Sequence, residues 1–154
     1  MTTSSTQSIR CFSSASARWI ALRLHPGCDV RESLLALARE QSIAAGAIVS
    51  AVGSLTQARL RYAGASDATP LAGPWEILNL SGTLGAHGLH VHLAVSDRTG
   101  HCVGGHLLPG CVVHTTLELV IADLEGLSFA RTFDSQTEYR ELEVRPAPPE
   151  TGPA

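Results

Sequence analysis

Residues 87–106 read HGLHVHLAVSDRTGHCVGGH and hold five of the seven histidines of the chain. Within this stretch, one residue separates His90 from His92. Because alternate residues of a β-strand share one face, both imidazoles are predicted to point the same way, with their Cα atoms roughly 6.5–7 Å apart. His106 closes the stretch and is the third candidate for that face.

The turn between the two strands decides whether His106 joins the other two histidines. A three-residue loop over 98–100, with Gly100 in the left-handed conformation, would pair His92 with His106 and His90 with Leu108. Paired residues lie on one face with Cβ atoms about 4.5–5.5 Å apart, so three imidazoles would converge. A four-residue loop would turn His106 to the opposite face, because a slip of one residue inverts a strand.

Three neutral imidazoles with an open fourth position suit a divalent metal, most of all Zn²⁺, with nickel or copper also compatible. The alternative interpretation is three polar residues on a sheet face that hydrogen-bond to carbonyl groups. A metal-bound imidazole usually donates a hydrogen bond from its other ring N–H to a carboxylate or a carbonyl. Glu76 and Glu118 are the candidates for accepting that hydrogen bond. His87 and His101 flank the hairpin and are interpreted as solvated residues.

Length and charge limit the function classes. The chain has 154 residues and a formal net charge of −3, which indicates one domain and argues against a protein that binds nucleic acid by itself. Four cysteines without a C-x-x-C pair favour a reducing, cytoplasmic setting over a thiolate zinc site. Cys102 and Cys111 are interpreted as small buried hydrophobic residues. No apolar run approaches the roughly eighteen residues of a membrane span, so no membrane association is expected.

Periodicity along the chain predicts one helix among several strands. Residues 18–25 alternate as a half-buried strand, and Asp29 with Glu32 marks the start of a helix over about 30–42. The other predicted strands are 47–52, 58–63, 75–84, the two arms of the histidine hairpin, 111–122 and 127–133. The fold class is α+β, a mainly antiparallel sheet with one main helix packed on it. Residues 1–17 and the Pro-rich 145–154 are predicted to be disordered tails around a domain at 18–144.

Over residues 18–144 the sequence resembles the PPC domain, a family found in plants and prokaryotes. The resemblance is carried by LHPGCDVRESL at 24–34, the segment 43–64, GPWEILNLSGTL at 73–84, HVHLAVSDRTGHCVGGHLLPG at 90–110 and TTLELVI at 115–121. It implies a homotrimer built on a sheet of about seven antiparallel strands, with the long strands near the three-fold axis. It also implies a histidine metal site in prokaryotic members, carried over here onto His90, His92 and His106.

The resemblance also indicates contact surfaces. The segment 73–84 resembles the one through which plant members contact partner proteins. Gly104 and Gly105 would let another backbone or a subunit approach closely, or would form a phosphate-binding nest of N–H groups. The candidate contact residues are therefore Gly73, Trp75, Glu76, Ile77, Leu78, Gly104 and Gly105.

Three functional hypotheses follow from these patterns. The leading one is a homotrimeric, three-histidine metal-binding module with a regulatory or binding role, associated with DNA through protein partners. The second is a metal-dependent enzyme acting on a small molecule, which is disfavoured because sequence places no general base or pocket. The third is direct DNA binding, as the family is often labelled. That label derives from AT-hooks, and this chain has no R-G-R-P element.

Overall fold

The computed structural model describes residues 11–148 and shows eight strands and one helix within that range. The strands are β1 (Ala17–Leu24), β2 (Gly46–Arg61), β3 (Thr69–Gly85), β4 (Gly88–Ser96), β5 (Cys102–Leu107), β6 (Val112–Leu124), β7 (Leu127–Phe133) and β8 (Arg140–Pro146). The helix α1 spans Val30–Glu40 between β1 and β2. The α+β class is therefore confirmed, but the expected single sheet of about seven strands is a sheet of six strands and a separate pair.

Six strands form one antiparallel sheet in the order β1-β6-β2-β3-β4-β5. The sheet curls back on itself, because the end of β2 also pairs with the end of β5. The paired residues are Leu60 with Leu107 and Arg61 with His106. Strands β2, β3, β4 and β5 therefore close a ring, and β6 and β1 extend from it as an open wing. Strands β7 and β8 form a separate antiparallel pair.

Strand β2 is continuous where the sequence predicts two strands, 47–52 and 58–63. The first of them is predicted to end at residue 52, yet Gly53 and Ser54 lie within the ladder opposite Ile77 and Glu76. Shifts of register along β2 take up the irregularity instead. Local bulges thus bend one long strand, so that it pairs with strands of both the ring and the wing.

The ends of the domain differ from the expected boundaries at 18 and 144. Ala17 already pairs with Leu124 in the first sheet. Strand β8, which the sequence did not predict, continues to Pro146, opposite Leu127. Ladder hydrogen bonds hold these residues, and a proline is tolerated at the end of an edge strand. The remainder of the predicted tails at 1–10 and 149–154 lies outside the described residues.

The capped start of the helix is confirmed. The Asp29 side chain accepts a hydrogen bond from the Glu32 backbone N–H at 3.0 Å and another from the Gly110 N–H at 2.6 Å. The cap therefore also ties the helix to the turn between β5 and β6. Val30, Leu34 and Ala38 form the buried stripe of the helix, which packs on the sheet as the apolar spacing predicts.

Burial separates the cysteines that were expected to lie in the core. Cys111 is buried, and burial raises the pKa of its thiol. Cys102 is exposed, contrary to that expectation, and its Sγ contacts the Gly100 carbonyl oxygen at 3.3 Å. Across residues 11–148, no helix has the length and apolar character needed to cross a membrane.

Candidate metal centre

The turn of the histidine hairpin has the predicted three-residue loop. The Asp97 N–H donates to the His101 carbonyl at 3.0 Å, and Gly100 adopts a left-handed φ of 84°. The Asp97 carboxylate accepts from the Thr99 and His101 backbone N–H groups and from the Thr99 hydroxyl. The hydrogen bonds from Thr99 contribute most to holding the pKa of this carboxyl below its usual range. The loop therefore determines which residues of β4 and β5 pair with each other.

That register pairs His92 with His106, so the four-residue alternative is wrong. The further pairing of His90 with Leu108 does not form, because β5 ends at Leu107 and the Leu108 N–H donates to Arg59 at 3.2 Å. His90 lies opposite Thr83 on β3 instead. The end of β5 leaves the hairpin to join β2.

Three imidazoles converge at this point of the ring, as the alternation predicts. The Nε2 atoms of His90 and His92 are 3.3 Å apart, and one ring nitrogen from each of the three side chains lies within 4.8 Å of the others. Ring centroids are separated by 4.9 to 5.5 Å. We call His90, His92 and His106 the histidine triad. No other group of three histidine, cysteine or carboxylate side chains in residues 11–148 comes this close.

Ring closure brings Arg61 beside the triad. A side chain at Gly105 would meet the Arg61 carbonyl oxygen at 2.8 Å, so glycine is needed where β5 crosses the end of β2. Gly104 is exposed, and a Cβ there would come within 3.2 Å of the Leu93 carbonyl oxygen. A backbone does approach Gly105 closely, and it belongs to the same chain; contact of these glycines with another subunit stays a prediction.

Burial and neighbouring positive charges lower the pKa values of two of the three histidines, His90 and His106. Burial lowers the pKa of His106 to about 4, with smaller contributions from His90 and Arg61. Burial, followed by the charge of Arg131, also lowers the pKa of His90, and Glu141 opposes this shift. Neutral imidazoles carry the lone pairs that metal ligation requires.

The two carboxylates expected beside the triad lie elsewhere. Glu76 is opposite Ser96 on β4, whereas His92 is opposite Ser81, five residues farther along β3. Glu118 lies on β6 opposite Arg23, in the wing of the sheet. In the observed strand register, neither glutamate lies on the part of the hairpin face that carries the triad. Glu141 is the carboxylate whose charge acts on His90.

A cavity of about 570 Å³ opens beside the triad, with His90 and His106 in its wall. We call it the arginine pocket. The residues that line it are Arg31, Arg61, Gly64, His87, Gly88, Leu89, His90, His106, Arg131, Tyr139, Arg140 and Glu141. A second hollow of about 300 Å³ lies on the side of His90 and His92 that faces β3. The triad is therefore accessible from two sides.

Sequence reasoning missed the contribution of the β7–β8 pair to this pocket. Arg131 donates to the Thr83 hydroxyl at 2.7 Å, which attaches β7 to β3 next to His90. Glu141 and Tyr139 come from β8 and from the loop before it. No periodic pattern signalled β8, so no signal placed these residues near the triad. His87 lines the pocket without joining the triad, and His101 is exposed at the turn.

The segment that resembles the partner-contact region alternates between core and surface. Trp75 and Ile77 are buried in the core of the ring, while Gly73 and Glu76 are exposed. Leu78 is 55% exposed. Only the outward residues of this predicted contact region are therefore available to another protein.

The family described as the Plants and Prokaryotes Conserved (PCC) domain matches residues 12–125. The chain belongs to this family. The resemblance to the PPC domain is thereby confirmed, and a Pyrococcus horikoshii structure described as a plant- and prokaryote-conserved (PPC) protein has the same fold. That structure has a TM-score of 0.73 at 20% identity, covering 88% of this chain and 97% of the other.

Two solved PCC-like structures are more similar in sequence. A hypothetical protein from Salmonella enterica has a TM-score of 0.85 at 45% identity, covering 88% of this chain and 97% of its own. A protein from Archaeoglobus fulgidus, described as metal-containing, has a TM-score of 0.77 at 26% identity, with coverages of 88% and 99%.

A Ralstonia eutropha structure described as a candidate DNA-binding protein is 24% identical, with a TM-score of 0.70 and coverages of 80% and 89%. At this identity the likeness shows only that the two proteins share a fold.

Two curated relatives contain a PCC-like region within a much longer chain. Both are described as the bifunctional protein GlmU, from two strains of Synechococcus, and are 48% and 45% identical over 125 and 139 residues. These matches cover 81% and 90% of this chain but 20% and 22% of the relatives. The chain thus spans about a fifth of the length of those proteins.

Proposed function

We propose that this PCC domain is a metal-binding module with a regulatory or binding role. Its ligands are His90, His92 and His106, and Zn²⁺ is the favoured ion. The observation that carries the proposal is the approach of three imidazole nitrogens to within 4.8 Å of one another. Such a set leaves one position of a tetrahedral ion open.

The triad fits the size of a zinc ion. With Zn–N distances of about 2.0–2.1 Å, two ligands of a tetrahedral ion lie roughly 3.3–3.4 Å apart. The Nε2 atoms of His90 and His92 are separated by 3.3 Å. The three ligand nitrogens lie within 4.8 Å of one another, so a bound ion would draw the most widely separated pair closer by up to about 1.5 Å.

Three further observations support the proposal. The shifts that keep His90 and His106 neutral favour ligation over protonation. The protein from Archaeoglobus fulgidus that shares this fold is described as metal-containing. The presence of a similar region in a much longer bifunctional protein supports an accessory, regulatory role. When bound, the ion would supply Lewis-acid chemistry at its open position.

A metal-dependent enzyme is the second candidate function, and the arginine pocket is the observation that favours it. The cavity of about 570 Å³ adjoins the triad, and Glu141 provides a carboxylate in its wall. Direct DNA binding receives no comparable support, because the net charge is −3 and the arginines near the triad line a pocket. Association with DNA would therefore operate through protein partners.

A homotrimer is part of the proposal. One face of the first sheet carries large exposed apolar side chains: Trp19 on β1 is 65% exposed and Val52 on β2 is 57% exposed. Leu78 on β3 is exposed to a similar degree. Apolar side chains gathered on one sheet face are typical of a surface that another subunit covers.

Metal analysis of protein purified without a metal-affinity column tests the proposed module. After incubation with zinc and gel filtration, wild type is expected to retain one equivalent per chain, and His92→Ala is expected to lose it. His101→Ala is the matched control, because His101 is exposed at the turn of the same hairpin and lies outside the triad. A wild type that retains no zinc, or equal loss in both variants, would contradict the proposal.

A further inference from the structure

We propose that the arginine pocket binds a small organic anion that carries a phosphate or carboxylate group. The inference deepens the proposed function by naming the ligand class of the same site, and it rests on that function only for the metal beside the pocket. Its own basis is the charge and hydrogen bonding of the arginine side chains.

Cations from four separate elements line the pocket. Arg31 belongs to α1, Arg61 to β2, Arg131 to β7 and Arg140 to β8. Among the described residues in the lining, Glu141 is the one acidic side chain. The chain as a whole has a net charge of −3, so this concentration of positive charge opposes the overall balance. A concave surface lined by charge of one sign concentrates ligands of the opposite sign.

Three of these arginines donate to neutral oxygens. Arg61 contacts the Ala65 carbonyl at 3.4 Å, Arg131 the Thr83 hydroxyl at 2.7 Å and Arg140 the Arg131 carbonyl at 3.3 Å. None of these contacts neutralises a guanidinium, and each guanidinium has five N–H donors in total. Arg31 differs, because its guanidinium lies 3.3 Å from the Glu32 carboxylate. Arg61 and Arg131 are partly buried whereas Arg140 is exposed, so the first two are the principal anchors for an anion.

Partial burial strengthens the case for Arg131. Burial lowers the pKa of its guanidinium, and the charge of Glu141 opposes the shift. An arginine nevertheless stays charged in proteins, so its loss of hydration must be offset by a partner. Two oxygens of a carboxylate or phosphate match the planar guanidinium and form the strongest class of hydrogen bond that it makes.

The size and position of the pocket define the ligand further. Its volume of about 570 Å³ lies within the range of about 300–1,000 Å³ that is usual for small-molecule sites. His90 and His106 line the same cavity, so a bound anion would lie directly beside the triad. The anionic group of the inferred ligand is thus held by Arg61 and Arg131. The bound ligand would lie next to the open position of the proposed metal.

Calorimetric titration with inorganic phosphate at constant ionic strength tests the inference, using the full chain in EDTA-treated and in zinc-loaded form. Wild type is expected to bind phosphate in both forms. Arg61→Gln and Arg131→Gln are each expected to weaken binding about tenfold or more, because each removes a charge-assisted contact. Arg98→Gln is the matched control, since Arg98 is exposed in the hairpin loop. Circular dichroism establishes that each variant is folded, and Arg131→Lys, which keeps the charge without the planar fork, is expected to bind with intermediate affinity.

The two protein forms separate this inference from the proposed metal module. Arginine-dependent phosphate binding by EDTA-treated protein supports the anion site even if the triad retains no zinc. Zinc retention without phosphate binding at up to about 50 mM would overturn the anion site and leave the metal module intact. Binding that Arg98→Gln weakens as much as Arg131→Gln would also overturn it, because the effect would then reflect general surface charge.

Discussion

His92 and His106 face each other across the β4–β5 ladder, at the point where β5 begins to pair with β2 as well. The same residue, His106, is therefore held by two neighbouring strands. Its backbone position is fixed on one side by the hairpin turn and on the other by the close approach to Arg61. The triad thus depends on ring closure as much as on the hairpin.

The first prediction compares two adjacent glycines of β5. Gly105→Ala is expected to reduce the free energy of unfolding by about 2–3 kcal/mol, because its Cβ would collide with backbone and overpacking costs about this much. Gly104→Ala is the control, because its neighbours are farther away and the position is exposed. Its expected loss is below about 1 kcal/mol. Urea denaturation measures both, and equal losses would show that the approach to Arg61 is not a close one.

The second prediction concerns pH and metal-free protein. The pKa of His106 is lowered to about 4 in the folded chain, so the unfolded chain, with a pKa near 6.5, binds a proton that the folded chain does not. Stability is therefore expected to fall as the pH drops from about 6.5 to about 4. The loss is on the order of 1–2 kcal/mol, because solvent around the partly exposed site reduces the effect.

Denaturation in EDTA across this pH range measures the loss. His106→Gln is expected to flatten the dependence, and His101→Gln is expected to leave it unchanged. Identical pH profiles for wild type and His106→Gln would rule out the buried, neutral imidazole at this position.

The third prediction concerns assembly. If the proposed trimer covers this apolar face, Val52→Glu is expected to reduce the molar mass in light scattering from that of a trimer to that of one chain, because a charge buried there would be left without a partner. Phe133→Glu is the matched control, since Phe133 is 67% exposed at the end of β7, away from that face. A monomeric wild type, or a trimer that withstands Val52→Glu, would contradict the assembly.

Local sequence patterns predicted the hairpin and the triad but little of their surroundings. Turn chemistry at Gly100 and the alternation of His90 and His92 are short-range signals, and they were sufficient for the register. The approach of Arg61 to His106 joins residues 45 positions apart, and no local pattern encodes such a pairing. Ring closure could therefore not be predicted.

Strand β8 escaped prediction for a different reason. Its pattern is inverted, because Glu141 and Glu143 are partly buried whereas Leu142 is 40% exposed. The usual alternation of a half-buried strand places apolar residues inward and polar residues outward. Glu141 lines the pocket with four arginines, and its charge acts on Arg131. Electrostatic attraction therefore took precedence over apolar burial at this position, and the acidic side chain near the triad could not be anticipated.

Ring closure also affects the tendency of the protein to aggregate. Strand β5 would otherwise end the sheet with a row of unpaired backbone groups, which is a template for adding further strands. Pairing with β2 occupies the last two residues of β5, His106 and Leu107, so within residues 11–148 the open edges of the first sheet are β1 and the first part of β5. Arg18 and Arg23 lie on β1, and charged side chains discourage edge-to-edge association. The contact that positions His106 thus also protects this end of the hairpin from pairing with a strand of another molecule.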